Sequence, residues 1–157
     1  MITVKKLTQN KLNSCLGLIK TEGENFNIFK KNGWSNMQIK LQLVKNTNYS
    51  LGIFENMHLV GFMLGDLISI EKNLEYEILL IYVKTKYQRK GLASKLLNYL
   101  EKKQLKLNKI YLEVSTNNIN AIALYEKHCF SLMNIRKNYY LINGNKYDAL
   151  CYAKKLI

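Results

Sequence analysis

The sequence predicts a single α/β domain in which a mixed central sheet carries helices on its faces. Three observations lead there. Hydrophobic spacing alternates along the chain between a helical period near 3.6 and a strand period near 2. No linker, repeat or low-complexity block divides residues 1–157. A chain of 157 residues that is 48% hydrophobic has material for one core without help from metal or disulfide.

The elements follow in order. Leu7–Lys20 places Leu12, Leu16 and Ile19 at helical spacing, with Thr8 or Asn10 as its cap. Ser35 is suited to cap a second short helix that runs through Val44 and carries Met37, Ile39, Leu41, Leu43 and Val44. Tyr49–Phe54 and His58–Ile70 read as strands joined at Glu55-Asn56, with Gly61 and Gly65 marking bends. Glu75–Val83 is a strongly apolar strand, and Tyr87–Ala93 a polar loop containing glycine. Ser94–Lys106 is a helix with Leu96, Leu97 and Leu100 inward. Lys109–Ser115 is a strand, Asn118–His128 a helix and Phe130–Leu141 a strand. Asn143-Gly144-Asn145 signals a hairpin turn that returns through Tyr147–Ala153. The resulting order is α-α-β-β-β-α-β-α-β-β.

Composition excludes several functions. The net charge of +13 invites a nucleic-acid partner, yet 22 of the 24 basic residues are Lys and only Arg89 and Arg136 are Arg. A Lys- and Asn-rich chain without proline reads mostly as coding bias on a tolerant surface, with help in attracting an anionic partner as the alternative, and direct nucleic-acid binding is not expected. A chain that drifts towards Lys and keeps two Arg has reasons for both. Cys15, Cys129 and Cys151 are odd in number and unclustered, which disfavours a disulfide framework. His58 and His128 lack Cys or Asp at ligand spacing, so no metal is expected. The longest apolar runs, Leu59–Leu64 and Ile78–Val83, fall far short of the ~20 residues of a membrane span. Met1–Lys6 shows no signal-peptide pattern, and a cytoplasmic protein is expected.

Two segments carry chemistry. In the first, a strand ending at Val83 passes through Gln88-Arg89-Lys90-Gly91-Leu92-Ala93 into a helix. Exposed N–H groups, a positive dipole end and two cations suit a phosphate or pyrophosphate. Taken alone, the same pattern also describes an ordinary strand-to-helix connection. The second segment runs from Leu112-Glu113-Val114 to Asn118 and Tyr125. Glu113 is a lone carboxylate on the face opposite its apolar neighbours, suited either to acid–base work or to an ion pair. Asn118 and Tyr125 lie seven residues apart, on one helix face about 10 Å from each other. Asn118 is equally a helix cap, and Tyr125 a half-buried aromatic.

Together the segments resemble the GNAT family of acetyl-CoA-dependent N-acetyltransferases. Gln88–Ala93 matches the family's Q/R-x-x-G-x-G/A loop. Leu112-Glu113-Val114, Asn118, Leu124-Tyr125-Glu126, Phe130 and Asn138-Tyr139-Tyr140 resemble the bacterial members that acetylate the N-terminal alanine of a small-subunit ribosomal protein. Gly33-Trp34-Ser35 and Asp148-Ala149 extend the resemblance, which is dense from about residue 79 to 150 and thin before it. The sequence departs from the pattern in four places. Ala93 replaces the second loop glycine, and His128-Cys129 stands where a residue and glycine usually precede Phe130. Gly33 and Leu141 replace prolines.

The resemblance implies a GNAT-like sheet of six or seven strands with about four helices, and acetyl-CoA as co-substrate. It implies that Glu113 is the general base and that Tyr125 protonates the departing thiolate. A free backbone N–H near Val83 would stabilise the oxyanion. Ile81, Tyr82 and Val83 would pair with the pantetheine arm like an added strand, and Asn118 would hydrogen-bond that arm. Gln88, Arg89, Lys90, Gly91, Leu92, Ala93 and Ser94 would cradle the pyrophosphate. Trp34, Asn138, Tyr139 and Tyr140 would form a narrow slot for a protein N-terminus. Glu77 is a second base candidate or a surface strand residue. An acetylated Cys129 is the weaker route, because direct transfer needs no protein nucleophile. Two rivals remain: acetylation of another amine, on a small molecule or a lysine, and a non-catalytic basic ribosome- or RNA-binding module.

Overall fold

The computed structural model describes residues 1–21, 34–102 and 105–156. Its elements are β1 (Ile2–Leu7), α1 (Leu12–Lys20), α2 (Asn36–Val44), β2 (Ser50–Glu55), β3 (His58–Ile70), β4 (Asn73–Val83), α3 (Leu92–Lys102), β5 (Lys109–Ser115), α4 (Ile119–Lys127), β6 (Ser131–Ile142) and β7 (Asn145–Lys155). Seven strands form one sheet in the order β1-β2-β3-β4-β5-β7-β6. Every neighbouring pair is antiparallel except β4 and β5, which are parallel and therefore need the crossover that α3 supplies.

The first strand corrects the sequence reading, which began with a helix at Leu7. Ile2–Leu7 pairs with β2 from Ile2↔Glu55 to Leu7↔Ser50, and Leu7 is fully buried. A six-residue edge strand with exposed lysines carries little alternation, and its partner lies some fifty residues away. A short 3-10 turn, Gln9–Lys11, then delays α1 to Leu12, and neither Thr8 nor Asn10 caps it; their side chains bond each other at 2.6 Å. Ser35 does cap α2, its Oγ accepting from the Gln38 N–H at 3.2 Å. The inward face of α2 is Ile39, Gln42 and Leu43, while Met37, Leu41 and Val44 are exposed. The helix after the loop begins at Leu92 rather than Ser94. Its expected extension to Lys106 crosses residues 103–104, which lie outside those described, and Lys106 itself has a positive φ of 52°.

Apolar side chains fill both faces of the sheet. Leu92, Leu96, Leu97 and Leu100 of α3 press on Leu51, Met63, Tyr76, Ile78 and Leu112. On the opposite face, Cys15, Ile19, Ile39 and Leu43 of α1 and α2 cover Leu7, Phe62 and Leu64. Gly65 is required where β3 meets β4, since a Cβ there would lie 2.0 Å from the Tyr76 hydroxyl. That hydroxyl donates to the Tyr49 carbonyl at 2.8 Å, crossing the backbone at the point where the strand register shifts.

Candidate functional site

The register shift opens the sheet. Leu64 pairs with Leu80 and Gly65 with Ile78, so Leu79 bulges from β4. Pairing of β4 with β5 stops at Ile78↔Leu112, after which β5 continues only with β7. Beyond the bulge, the Lys84 N–H donates to the Val60 carbonyl at 2.9 Å. Antiparallel alternation then turns Tyr82 towards β3 and directs the backbone groups of Ile81 and Val83 into the gap. The Val83 carbonyl takes the Gln88 Nε2 donor at 2.9 Å.

Gln88 thereby ties the loop to the end of β4. Arg89 and Gly91 both adopt left-handed φ, 58° and 78°, and a Cβ on Gly91 would meet nothing within 4 Å. The Gly91 carbonyl accepts from the Lys95 N–H at 3.0 Å. The amides of Leu92, Ala93 and Ser94 therefore have no partner within α3, and they form its positive end. The ammonium groups of Lys86 and Lys90 lie 4.9 and 5.7 Å from the centre of the Tyr87 ring, whose hydroxyl donates to Glu55. Ser94 Oγ meets His128 Nε2 at 2.9 Å, linking α3 to the end of α4.

Glu113 sits on the other side of the opening. Its Oε1 accepts from Arg136 Nη1 at 2.7 Å and from Cys151 Sγ at 3.7 Å, and its side chain is 30% exposed. The guanidinium of Arg136 in turn covers the Tyr139 ring at 4.0 Å. One of the two readings left open by the sequence, an ion-paired strand glutamate, is thus realised in this geometry. Strand alternation puts Tyr111, Glu113 and Ser115 on one sheet face, with Glu77 beside them. Burial pushes the Glu77 carboxyl above its ordinary value, reinforced by Asp66 and Glu113 and opposed by Lys45. The Tyr111 phenol is pushed up to about 12, first by burial and then by Glu77 and its acidic neighbours.

Tyr125 is buried, its ring edge-on to Phe130 at 5.7 Å. Burial and then the nearby Tyr140 raise its phenol, while Tyr140 is itself pushed up to about 12 by burial and by Glu113. Tyr125, Tyr140 and Glu113 therefore share one electrostatic neighbourhood. Asn118 caps α4, its Oδ1 accepting from the Ala121 N–H at 3.2 Å, which leaves its Nδ2 donors for other partners. The turn after α4 keeps its form without glycine. Cys129 takes φ 62°, its N–H donates to the Glu126 carbonyl, and the Phe130 N–H donates to that of Tyr125. This is a Schellman end, sealed by the Tyr125–Phe130 contact.

The segment Asn138-Tyr139-Tyr140 occupies an irregularity in β6 between Arg136 and Tyr140. Asp148 holds it, accepting from the Asn138 N–H at 2.8 Å and from Lys137 Nζ at 2.9 Å. Those two bonds keep the Asp148 carboxyl below its ordinary value. Trp34 lies elsewhere, half-buried against the cluster that α1 and α2 build. Gly33 falls outside the described residues. Cys151, read from the sequence only as an unclustered small core hydrophobe, is partly exposed and bonds Glu113, while Ser115 was not singled out although the alternation that isolates Glu113 also selects it. A shallow cleft near Thr21, His58 and Lys84 is lined by none of the candidate catalytic, cofactor-binding or acceptor-binding residues. Among the described residues, no group of three or more His, Cys, Asp or Glu is placed to hold a metal, and no helix is long and apolar enough to cross a membrane.

The family model described as Acetyltransferase (GNAT) family matches residues 19–130. The chain is 40% identical over 75 residues to the [Ribosomal protein bS18]-alanine N-acetyltransferase of Escherichia coli (strain K12), a match covering 46% of this chain and 51% of that protein. The chain thus spans about half the length of that curated relative. It is 30% identical over 111 residues to the N-alpha-acetyltransferase RimI of Mycobacterium tuberculosis (strain ATCC 25618 / H37Rv), covering 71% of this chain and 70% of that protein. Among solved structures, the crystal structure of the ribosomal-protein-S18-alanine N-acetyltransferase from Escherichia coli superposes with a TM-score of 0.80 at 23% identity, covering 99% and 94% of the two chains. Arabidopsis thaliana NAA60 in complex with acetyl-CoA superposes with a TM-score of 0.78 at 19% identity, covering 99% of each chain. At these identities the superpositions speak for the fold.

Proposed function

The chain belongs to the GNAT acetyltransferase family, and from that membership we propose that it transfers the acetyl group of acetyl-CoA to the N-terminal α-amine of a protein. The printed activity of the Escherichia coli relative favours an N-terminal alanine of a ribosomal protein as the acceptor.

The observation that carries this reading is the opposition of charge across the strand opening. On one side stand Arg89, Lys90 and the free amides of α3, around a loop whose Gly91 faces open space. That side suits a pyrophosphate, with the amides of Leu92, Ala93 and Ser94 as donors. On the other side, a chain of net charge +13 gathers Asp66, Glu75, Glu77 and Glu113 on one sheet face, with Lys45, Lys109 and Arg136 paired to Asp66, Glu75 and Glu113. That side suits a cationic amine. Between them, Ile81 and Val83 offer backbone groups to an extended arm, and the Val83 N–H is the donor for charge developing on the acetyl oxygen.

In this reading acetyl-CoA supplies the activated acetyl group. Glu113 takes the proton that an ammonium must lose before its nitrogen becomes nucleophilic. Tyr125, kept neutral by burial, holds a proton for the departing sulfur. The Nδ2 of Asn118 reaches the arm while its Oδ1 caps α4. Trp34, packed on the α1–α2 cluster, and the Asn138–Tyr140 segment of β6 are the residues proposed to contact the acceptor. The test is thiol release from acetyl-CoA measured over a panel of N-terminal peptides, polyamines and N-terminally blocked lysine peptides. Turnover concentrated on small N-terminal residues supports the reading; turnover of the blocked lysine peptides or polyamines alone reassigns the acceptor.

A further inference from the structure

His128 joins two helices beside the Gln88–Ala93 loop. It closes α4, its N–H donating to the Leu124 and Tyr125 carbonyls at 3.1 Å, and its Nε2 meets Ser94 Oγ at 2.9 Å. Ser94 is the third residue of α3, and its N–H is one of the amides left without a helical partner. Every Cα–Cβ bond of an α-helix tilts towards the N-terminus, so the Ser94 hydroxyl leans to the same end as those amides. Both residues are half-buried rather than sealed. Their contact has two forms. Where Nε2 carries no proton, Ser94 donates to it and turns only lone pairs to an anion. Where Nε2 carries a proton, the imidazole donates, and the hydroxyl proton is released for another acceptor. An imidazolium takes only the second form, since both its nitrogens donate.

We propose that His128 positions the Ser94 hydroxyl to donate to the pyrophosphate of acetyl-CoA, and that it takes up a proton from solvent when this ligand binds. This inference rests on the reading of Gln88–Ser94 as the pyrophosphate cradle. An anion at the end of α3 favours the imidazolium by its charge and by the donating arrangement that the imidazolium imposes on Ser94. The other charges facing the ring are Glu101 of α3, Lys154 of β7 and Lys127 of α4 itself. Lys154 Nζ holds both Glu101 oxygens at 2.8 Å, which largely balances that pair. Burial keeps the His128 imidazole below its ordinary value, opposed by Glu101 and reinforced by Lys154 and Lys127. The ring is therefore mostly neutral at neutral pH before the ligand arrives. Because the ligand raises the proton affinity of His128, the gain in acetyl-CoA affinity is complete below the pKa of the free protein. It is lost as pH rises through the higher pKa of the complex.

The experiment measures acetyl-CoA binding by calorimetry from about pH 5 to about pH 9, either side of the ordinary imidazole value. Wild type is compared with His128→Gln, whose amide nitrogen can still donate but does not titrate. The ligand's own phosphates ionise alike in every mixture, so their effect cancels in the ratio of affinities. Wild type should bind roughly tenfold more tightly than His128→Gln at the acid end, the worth of one charge-assisted hydrogen bond. At the alkaline end the two should agree within about twofold. In a Ser94→Ala background the acid-end advantage should shrink below about threefold, because the two side chains act as a unit. In wild-type spectra the His128 imidazole resonance, assigned by its absence in His128→Gln, should titrate at a higher pH with acetyl-CoA bound than without. A ratio that does not vary with pH, a tenfold advantage that persists without Ser94, or a His128 titration unmoved by acetyl-CoA would overturn the proposal. Gly91→Glu is measured alongside. Loss of binding there, with a flat wild-type ratio, overturns this proposal alone; binding retained there removes the cradle reading and this proposal with it.

Discussion

As proposed base and proposed acid, Glu113 and Tyr125 face opposite physical demands, and their surroundings differ. Glu113 is partly open to solvent and bonded to Arg136, while Tyr125 is enclosed against Phe130. Burial keeps the Tyr125 phenol neutral through the physiological range, which a proton donor requires. Tyr125→Phe retains the ring and its packing, so stability should change little while kcat falls by roughly 10²–10⁴. Glu113→Gln should also lower kcat, and that loss should shrink as pH rises, because more of the acceptor amine is already deprotonated. The Tyr125→Phe loss should not recover with pH. Rate–pH profiles of the two variants check both expectations. At the end of α4, Cys129 holds a left-handed φ that glycine adopts freely. Cys129→Gly should stabilise the fold by about 0.5–1 kcal/mol, the left-handed cost net of glycine's extra entropy, read from urea unfolding. A lower midpoint would mean that the cysteine side chain contributes packing.

At the level of elements, the opening between β4 and β5 comes from the Leu79 bulge and from the loop that Gln88 ties to Val83. Gly91→Glu puts a side chain and a negative charge into the space the loop faces, so acetyl-CoA binding should disappear from calorimetry while the circular dichroism of the fold persists. Unchanged affinity in the folded variant would remove the loop from the binding site. The β6 irregularity depends on Asp148. Its carboxyl is held below the ordinary value near 3.9, so the contribution is complete above that pH and is lost as pH falls through the lower, folded value. The protection of the Asn138 amide, taken relative to its intrinsic exchange rate at each pH, should therefore fall only below about pH 4, and Asp148→Asn should abolish that step. Elements with strong internal alternation were legible without a structure: Ile110, Leu112 and Val114 define β5 to the residue. β1 was not, because its six residues become a strand only by pairing with β2. The role of Asp148 was hidden for the same reason, since it bonds across the hairpin to a backbone amide that the irregularity in β6 presents.

The whole molecule shows what charge patterning conceals in a sequence. A net charge of +13 says nothing about where the negative groups lie. Lys45, Lys109 and Arg136 pair with Asp66, Glu75 and Glu113, and these carboxylates meet on one face only because β3, β4 and β5 are adjacent in that register. The Gln88–Ala93 loop was legible as a candidate because it is contiguous. The carboxylate side, assembled from three strands, was represented in the sequence by Glu113 and Glu77 alone. Trp34 shows the converse, since its place against α1 and α2 follows from packing that no local motif encodes. The decisive measurement offers both kinds of amine in one molecule. A peptide beginning with alanine and carrying one internal lysine is incubated with acetyl-CoA and the enzyme, and the acetylated position is located by fragmentation mass spectrometry. Acetyl on the α-amine, appearing roughly 10²–10⁴ times more slowly when Tyr125→Phe replaces wild type, is the expected result. Acetyl on the lysine side chain with the α-amine untouched would contradict it.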